Sequence, residues 1–213
     1  VSSAGDINGD GFADMVIGAS GANTNGSAAG GTYVVFGKAT GWGTGQALSA
    51  LNGNDGFRLS GVAGYDQSGT SVNLAGDING DGFDDLIVGA KYADNVDAGP
   101  YSINHGAAYV VFGKSGGFAA NLNLSSLNGL NGFALQGVGT SDTAGSAVSG
   151  AGDVNGDGFD DLLVGAPSAD ANGNNSGAAY VVLGKASGFA SRLGLSALDG
   201  NDGYRITGVT ADD

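Results

Sequence analysis

The 213-residue chain has no cysteine, no glutamate, one histidine and two prolines. Without cysteine there is no disulfide framework and no thiolate metal site. Only 7 lysines and arginines stand against 21 acidic residues, a formal charge of −14. So few cations exclude a nucleic-acid surface, which must neutralise phosphates. They equally disfavour an anionic membrane surface. No apolar run reaches 18 residues, so no membrane insertion is expected. The chain opens on Val1-Ser2-Ser3 without a leader, a start that reads as the interior of a longer protein.

What is present is equally skewed. All 21 acids are aspartate, and 44 residues are glycine. Aspartate favours turns over helix interiors and carries a short, stiff carboxylate. The glycines follow no triplet; they cluster between apolar runs, as tight turns require.

The chain repeats itself. Ala4–Phe12 (AGDINGDGF) recurs unchanged at Ala75–Phe83, and at Ala151–Phe159 with Val154 for Ile. Tyr33–Lys38 recurs at Tyr109–Lys114 and Tyr180–Lys185, and Asn52–Gly61 at Asn128–Gly137 and Asp199–Gly208. The spacing is 71 residues from Asp6 to Asp77 and 76 from Asp77 to Asp153. The extra residues lie between Asp94 and Gly106, among them Pro100, Tyr101 and His105. Such an insertion marks a surface loop.

Each repeat predicts four short strands, in the second copy Ser71–Gly76, Asp85–Gly89, Ala107–Gly113 and Phe133–Val138. They are β-branched or aromatic and bounded by Gly, Asn or Asp. No segment sustains a helical period; Leu122, Leu124 and Leu127 allow one turn at most. A four-stranded unit of about 40 to 70 residues in tandem predicts all-β propeller blades. The expected architecture is three four-stranded antiparallel blades, approximately 1–66, 67–142 and 143–213, in one propeller segment.

The loop Asp77-Ile78-Asn79-Gly80-Asp81-Gly82-Phe83-Asp84-Asp85 places side-chain oxygens at positions 1, 3, 5 and 9. Position 7 can add its carbonyl, and Gly at position 6 allows the positive φ that wraps a chain around an ion. Calcium takes six to eight oxygens, and this spacing supplies them. An EF-hand would need Glu at position 12, where Ile17, Val88 and Val164 stand, and helical flanks. Plain Asn-Gly and Asp-Gly turns are the bland alternative. Turns do not need three carboxylates within nine residues, which repel unless a cation intervenes. Position 8 varies (Ala13, Asp84, Asp160), so no ligand is expected there, and Asp84→Ala is expected to leave melting unchanged.

The unit AGDxNGDGFxDLxVGA followed by GAAYVVFGK resembles the FG-GAP repeat, which builds the seven-bladed propeller of integrin α subunits and occurs in bacterial secreted and surface proteins. The resemblance covers the whole chain three times. It implies three calcium sites: Asp6, Asn8, Asp10, the Phe12 carbonyl and Asp14; Asp77, Asn79, Asp81, the Phe83 carbonyl and Asp85; and Asp153, Asn155, Asp157, the Phe159 carbonyl and Asp161. Literal Gly-Ala-Pro occurs only at Gly165-Ala166-Pro167, and the family's Phe-Gly is Ser68-Gly69 and Ala144-Gly145 here. Three blades are fewer than the four to eight of a closed propeller. The chain is therefore expected to be part of a longer protein, or to associate; two copies would give six blades, a homodimer.

The expected function is a calcium-binding extracellular or cell-surface module for adhesion or assembly, with calcium structural. Alternatives are a lectin-like propeller or the non-catalytic part of a secreted hydrolase, so the ligand class, protein or glycan, stays open. No enzyme is expected. His105 sits in a non-repeated insert and reads as a solvated loop residue, with metal binding beside Asp94 and Asp97 as the sharper option. Trp42 aligns with Phe118 and Phe189, so a structural aromatic is preferred over a sugar platform. Tyr33, Tyr109 and Tyr180 recur in register and read as blade core.

Overall fold

A computed structural model describes residues 1–41, 43–94 and 103–212. Trp42, Asp97, Pro100 and Tyr101 lie outside the described residues. The protein is all-β and forms three sheets in chain order. Blade one contains β1 (Ser2–Gly5), β2 (Asp14–Ala19), β3 (Gly31–Val35) and β4 (Gly56–Ser60). Blade two contains β5 (Ser71–Gly76), β6 (Asp85–Ala90) and β7 (Ala107–Val111), then β8 (Asn121–Asn123) and β9 (Gly132–Gln136). Blade three contains β10 (Ala147–Gly152), β11 (Asp161–Ala166) and β12 (Ala178–Val182), then β13 (Arg192–Gly194) and β14 (Gly203–Thr207). Within each blade the four principal strands form an antiparallel meander.

Two strands depart from the four-per-blade expectation. β8 pairs in parallel with β4, and β13 pairs in parallel with β9. Each later blade thus covers the outer edge of the blade before it. A bare edge offers unpaired N–H and C=O groups to other chains, and this edge-capping removes them. A short 3-10 turn follows each strand, Leu124–Ser126 and Leu195–Ala197, and its leucine is buried. One turn is what the Leu122–Leu127 spacing allowed.

The three inner strands β1, β5 and β10 stand side by side. The core lies between blades. One cluster joins Val16, Val34, Phe57 and Leu59 of blade one to Leu86, Val88, Tyr109 and Leu124 of blade two. A second joins Ile87, Val110, Phe133 and Leu135 to Leu162, Val164, Tyr180 and Leu195. Each strand of blade two alternates its residues between the two seams, which is why these strands read as continuous apolar runs. Aromatic rings cross both seams. Phe118 stacks on Phe57 at 4.2 Å, and Phe189 on Phe133 at 4.7 Å. The structural reading of this aromatic position holds for both. Tyr109 and Tyr180 are buried, while Tyr33 is half-buried on the face of blade one that no blade covers.

Candidate functional site

The β1–β2, β5–β6 and β10–β11 connections are the three acidic loops. Each inner strand ends in a bulge one residue before its loop, at Ser3/Gly5, Leu74/Gly76 and Gly150/Gly152. The bulge turns the chain out of the sheet. Inside the loop, the position-6 glycine has φ of +87°, +88° and +92° at Gly11, Gly82 and Gly158, a conformation that a Cβ penalises.

The side chains expected as ligands fold inward onto the loop's own backbone. Asp6 accepts N–H bonds from Asp10 and Gly11, at 3.0 and 2.8 Å. Asn8 accepts from Asp10 N at 3.0 Å, and Asp10 accepts from Phe12 N at 2.9 Å. The same network recurs from Asp77 to Phe83 and from Asp153 to Phe159. The position-9 aspartates, Asp14, Asp85 and Asp161, are buried at the start of the second strand. Each accepts two N–H bonds, one from the loop and one from the Gly after the third strand: Ile7 and Gly37, Ile78 and Gly113, Val154 and Gly184. They pin the loop to the blade.

Electrostatics sets these loops apart from ordinary turns. Burial pushes the Asp85 carboxyl up to about 8 and Asp14 up to about 6; the N–H bonds offset part of this, and the loop acids Asp81, Asp77, Asp10 and Asp6 add to it. None of the three loops contains a Lys, Arg or His. Among the described residues, no three His, Cys, Asp or Glu side chains stand as a metal-holding group. The donor set is nonetheless uniform: three carboxylates, one amide oxygen and one carbonyl per loop. That chemistry fits a hard divalent cation and offers nothing to a thiophilic one.

The position-8 aspartates have a role that the sequence comparison missed. Asp84 accepts the N–H of Asp6 at 2.7 Å, and Asp160 accepts the N–H of Asp77 at 2.9 Å. Each reaches across the seam to the first residue of the preceding blade's loop. The sequence comparison gave Asp84 no structural part, and the structure gives it this bond across the seam. No local signal announced this, because each partner stands on a neighbouring blade.

At the opposite end of the blades, the β4–β5 and β6–β7 connections meet. A cleft of about 190 Å³ opens there, lined by Asp66, Asp94, Tyr109, Gln136 and Arg192 among others. Burial, together with the negative Asp94, pushes Asp66 up to about 6, partly offset by an N–H bond from Ala63. The neighbouring seam repeats the arrangement with Asp142, Asp170, Tyr180 and Arg205. His105 is buried, not solvated as its loop position suggested. Its carbonyl accepts Ala144 N at 3.0 Å, the same bond that Ala29 makes with Ser68 N at the first seam.

A family profile described as FG-GAP repeat matches residues 1–35, 68–110 and 144–182. With this fold and these loops, the chain belongs to the FG-GAP repeat family, a class of β-propeller repeats. Among its relatives is Integrin alpha-PS5 of Drosophila melanogaster, 31% identical over 173 residues, 78% of this chain and 14% of that protein. Integrin alpha pat-2 of Caenorhabditis elegans is 37% identical over 108 residues, 49% of this chain and 8% of that protein. The chain thus spans a small part of these relatives.

Proposed function

We propose that this chain is a calcium-stabilised, non-catalytic propeller module of an extracellular adhesion or assembly protein. The observation that carries the metal is the buried, twice-bonded Asp14, Asp85 or Asp161 at the base of a loop with two further carboxylates and no cationic side chain. A bound cation would supply the missing positive charge. Asp6, Asn8, Asp10, Asp14 and the Phe12 carbonyl would hold it in the first blade, and their counterparts in the others. The loop backbone is already wrapped, so the residues need little further ordering to bind.

Extracellular modules bind calcium with Kd on the order of 10⁻⁴–10⁻³ M. Such sites fill outside cells and stay empty at cytosolic calcium, which supports an outside location. The integrin alpha names of the relatives support adhesion, and no described helix is long and apolar enough to cross a membrane. Titration of the chelator-treated chain should show three calcium sites. At calcium near 100 Kd each site should add about 2.7 kcal/mol. Asp81→Ala and Asp157→Ala should each reduce the stoichiometry by one. No binding heat and an unchanged melting temperature with EDTA would sink the metal reading.

A further inference from the structure

The two seam mouths differ at one paired position. The residue opposite each blade tyrosine is Arg58 for Tyr33, Ala134 for Tyr109 and Arg205 for Tyr180. Arg205 hydrogen-bonds the Tyr180 hydroxyl and counters Asp142 from the same place. Blade two has no guanidinium there, and Ala134 lines the open cleft of about 190 Å³. Two buried groups are left short of partners. Tyr109 is 7% exposed, and among the described residues no hydrogen bond reaches its hydroxyl. Burial and the nearby Asp66 charge hold its proton on, and the Arg192 charge opposes them. Asp66 is 5% exposed; one of its oxygens accepts the Ala63 N–H at 2.9 Å, and the charge that faces it, Asp94, has its own sign. Buried polar groups without partners cost free energy, so this cleft favours a ligand that satisfies both.

The cleft carries both signs of charge. Asp66 and Asp94 line it from the β4–β5 and β6–β7 connections. Arg192 enters from β13, exposed at the outer rim and in parallel register with Ala134. One guanidinium against two carboxylates leaves a net negative charge. The Arg192 fork has five N–H donors, enough to take a carboxylate besides the contact it already makes. Asp66 and Arg192 both act on the Tyr109 hydroxyl, so the two signs stand within the span of one small molecule. Val62 and Leu124 add an apolar wall between them.

We propose that this cleft is a binding site for a small zwitterion, a free α-amino acid with an apolar side chain. Its ammonium donates to Asp66 and Asp94. Its carboxylate accepts from Arg192 and the Tyr109 hydroxyl, and its side chain lies on Val62 and Leu124. A simple cation would leave the Tyr109 hydroxyl without an acceptor. A neutral sugar would leave the two carboxylates uncompensated. It would also lack a stacking platform in the cleft, because the Tyr109 ring belongs to the core. The cleft lies at the end of the blades away from the acidic loops, so the proposal stands independently of the calcium reading.

Isothermal titration calorimetry of the chain at fixed calcium and neutral pH tests this, with L-leucine as the probe. L-leucine should bind at least about tenfold more tightly than 4-methylpentanoate, which lacks the amine, and than 3-methylbutylamine, which lacks the carboxylate. Ala134→Arg gives blade two the guanidinium that blade three has, and should abolish leucine binding in a chain shown to be folded by circular dichroism. Arg192→Gln, at the exposed rim, should weaken leucine at least about tenfold and leave 3-methylbutylamine unchanged. No leucine binding, equal binding of the bare amine, glucose binding as tightly as leucine, or full leucine affinity in Arg192→Gln or in folded Ala134→Arg would each overturn the proposal.

Discussion

Blades two and three are built from nearly the same residues but have different surroundings. Blade two packs between two neighbours, while blade three meets one. Their strands, registers and loop hydrogen bonds coincide, so local sequence suffices for those. Burial does not coincide. Phe133 is enclosed and stacked by Phe189, whereas Tyr204 in the same register is half open. A blade is thus locally specified and laterally stabilised, as expected where each unit buries its faces against the next.

The sharpest way to break this comparison is truncation at the paired positions. Phe133→Ala removes a buried ring and its stacking on Phe189, and should cost about 3–5 kcal/mol. Tyr204→Ala should cost less than about 1 kcal/mol, because the ring has little protein around it. Urea denaturation of both variants checks the pair. Equal losses would mean that the face of blade three is covered in solution.

The two seam mouths offer a smaller contrast. Asp66 faces a second acid, Asp94, with Tyr109 and Arg192 lining the same cleft. Asp142 faces Asp170, but His105 and Arg205 counter it. Asp66 rises from 3.8 unfolded to about 6 folded. The folded state therefore holds its proton more tightly, and this stability is full below pH 4 and lost as pH rises to 6. The loss is on the order of 2–3 kcal/mol. At fixed calcium, Asp66→Asn should match wild type near pH 4 and exceed it by that amount above pH 6. Asp142→Asn should gain less. A pH-independent difference would show that Asp66 is not held protonated by its seam.

How much of this was legible follows the same division. The repeats fixed the blades because period-2 apolar runs between glycine turns have few other solutions. The acidic loops stood out because three carboxylates in nine residues exceed what a turn needs. Lateral features did not show. β8 and β13 are three residues long and pair with another blade, so no local pattern announces them. Asp66 sits in an unremarkable Gly-Tyr-Asp-Gln stretch, and only the seam buries it. His105 looked exposed because an insertion usually is; here it stands where Ala29 stands in blade one, at the seam. The part played by position 8 was missed because the partners of Asp84 and Asp160 stand on another blade, where no local pattern shows them.

That misjudgement gives the most local test. A charged acceptor for a backbone N–H contributes about 1.5–3 kcal/mol when enclosed, and less where water competes. Asp84 and Asp160 are half-buried, so Asp84→Ala and Asp160→Ala should each cost about 1–2 kcal/mol. At about 2–4 °C per kcal/mol for a chain of this size, each should lower the melting temperature by a few degrees. The two losses should add, because the bonds lie at separate seams and share no partner. Calcium stoichiometry should stay unchanged in both variants, since the clasp carboxylates bond backbone N–H groups of the neighbouring loop and belong to neither ligand set. Removing Asp84 frees the N–H of Asp6, so any loss of affinity should appear at the first loop, not at the loop that carries the substitution. A weakened second loop would instead mean that position 8 serves its own site.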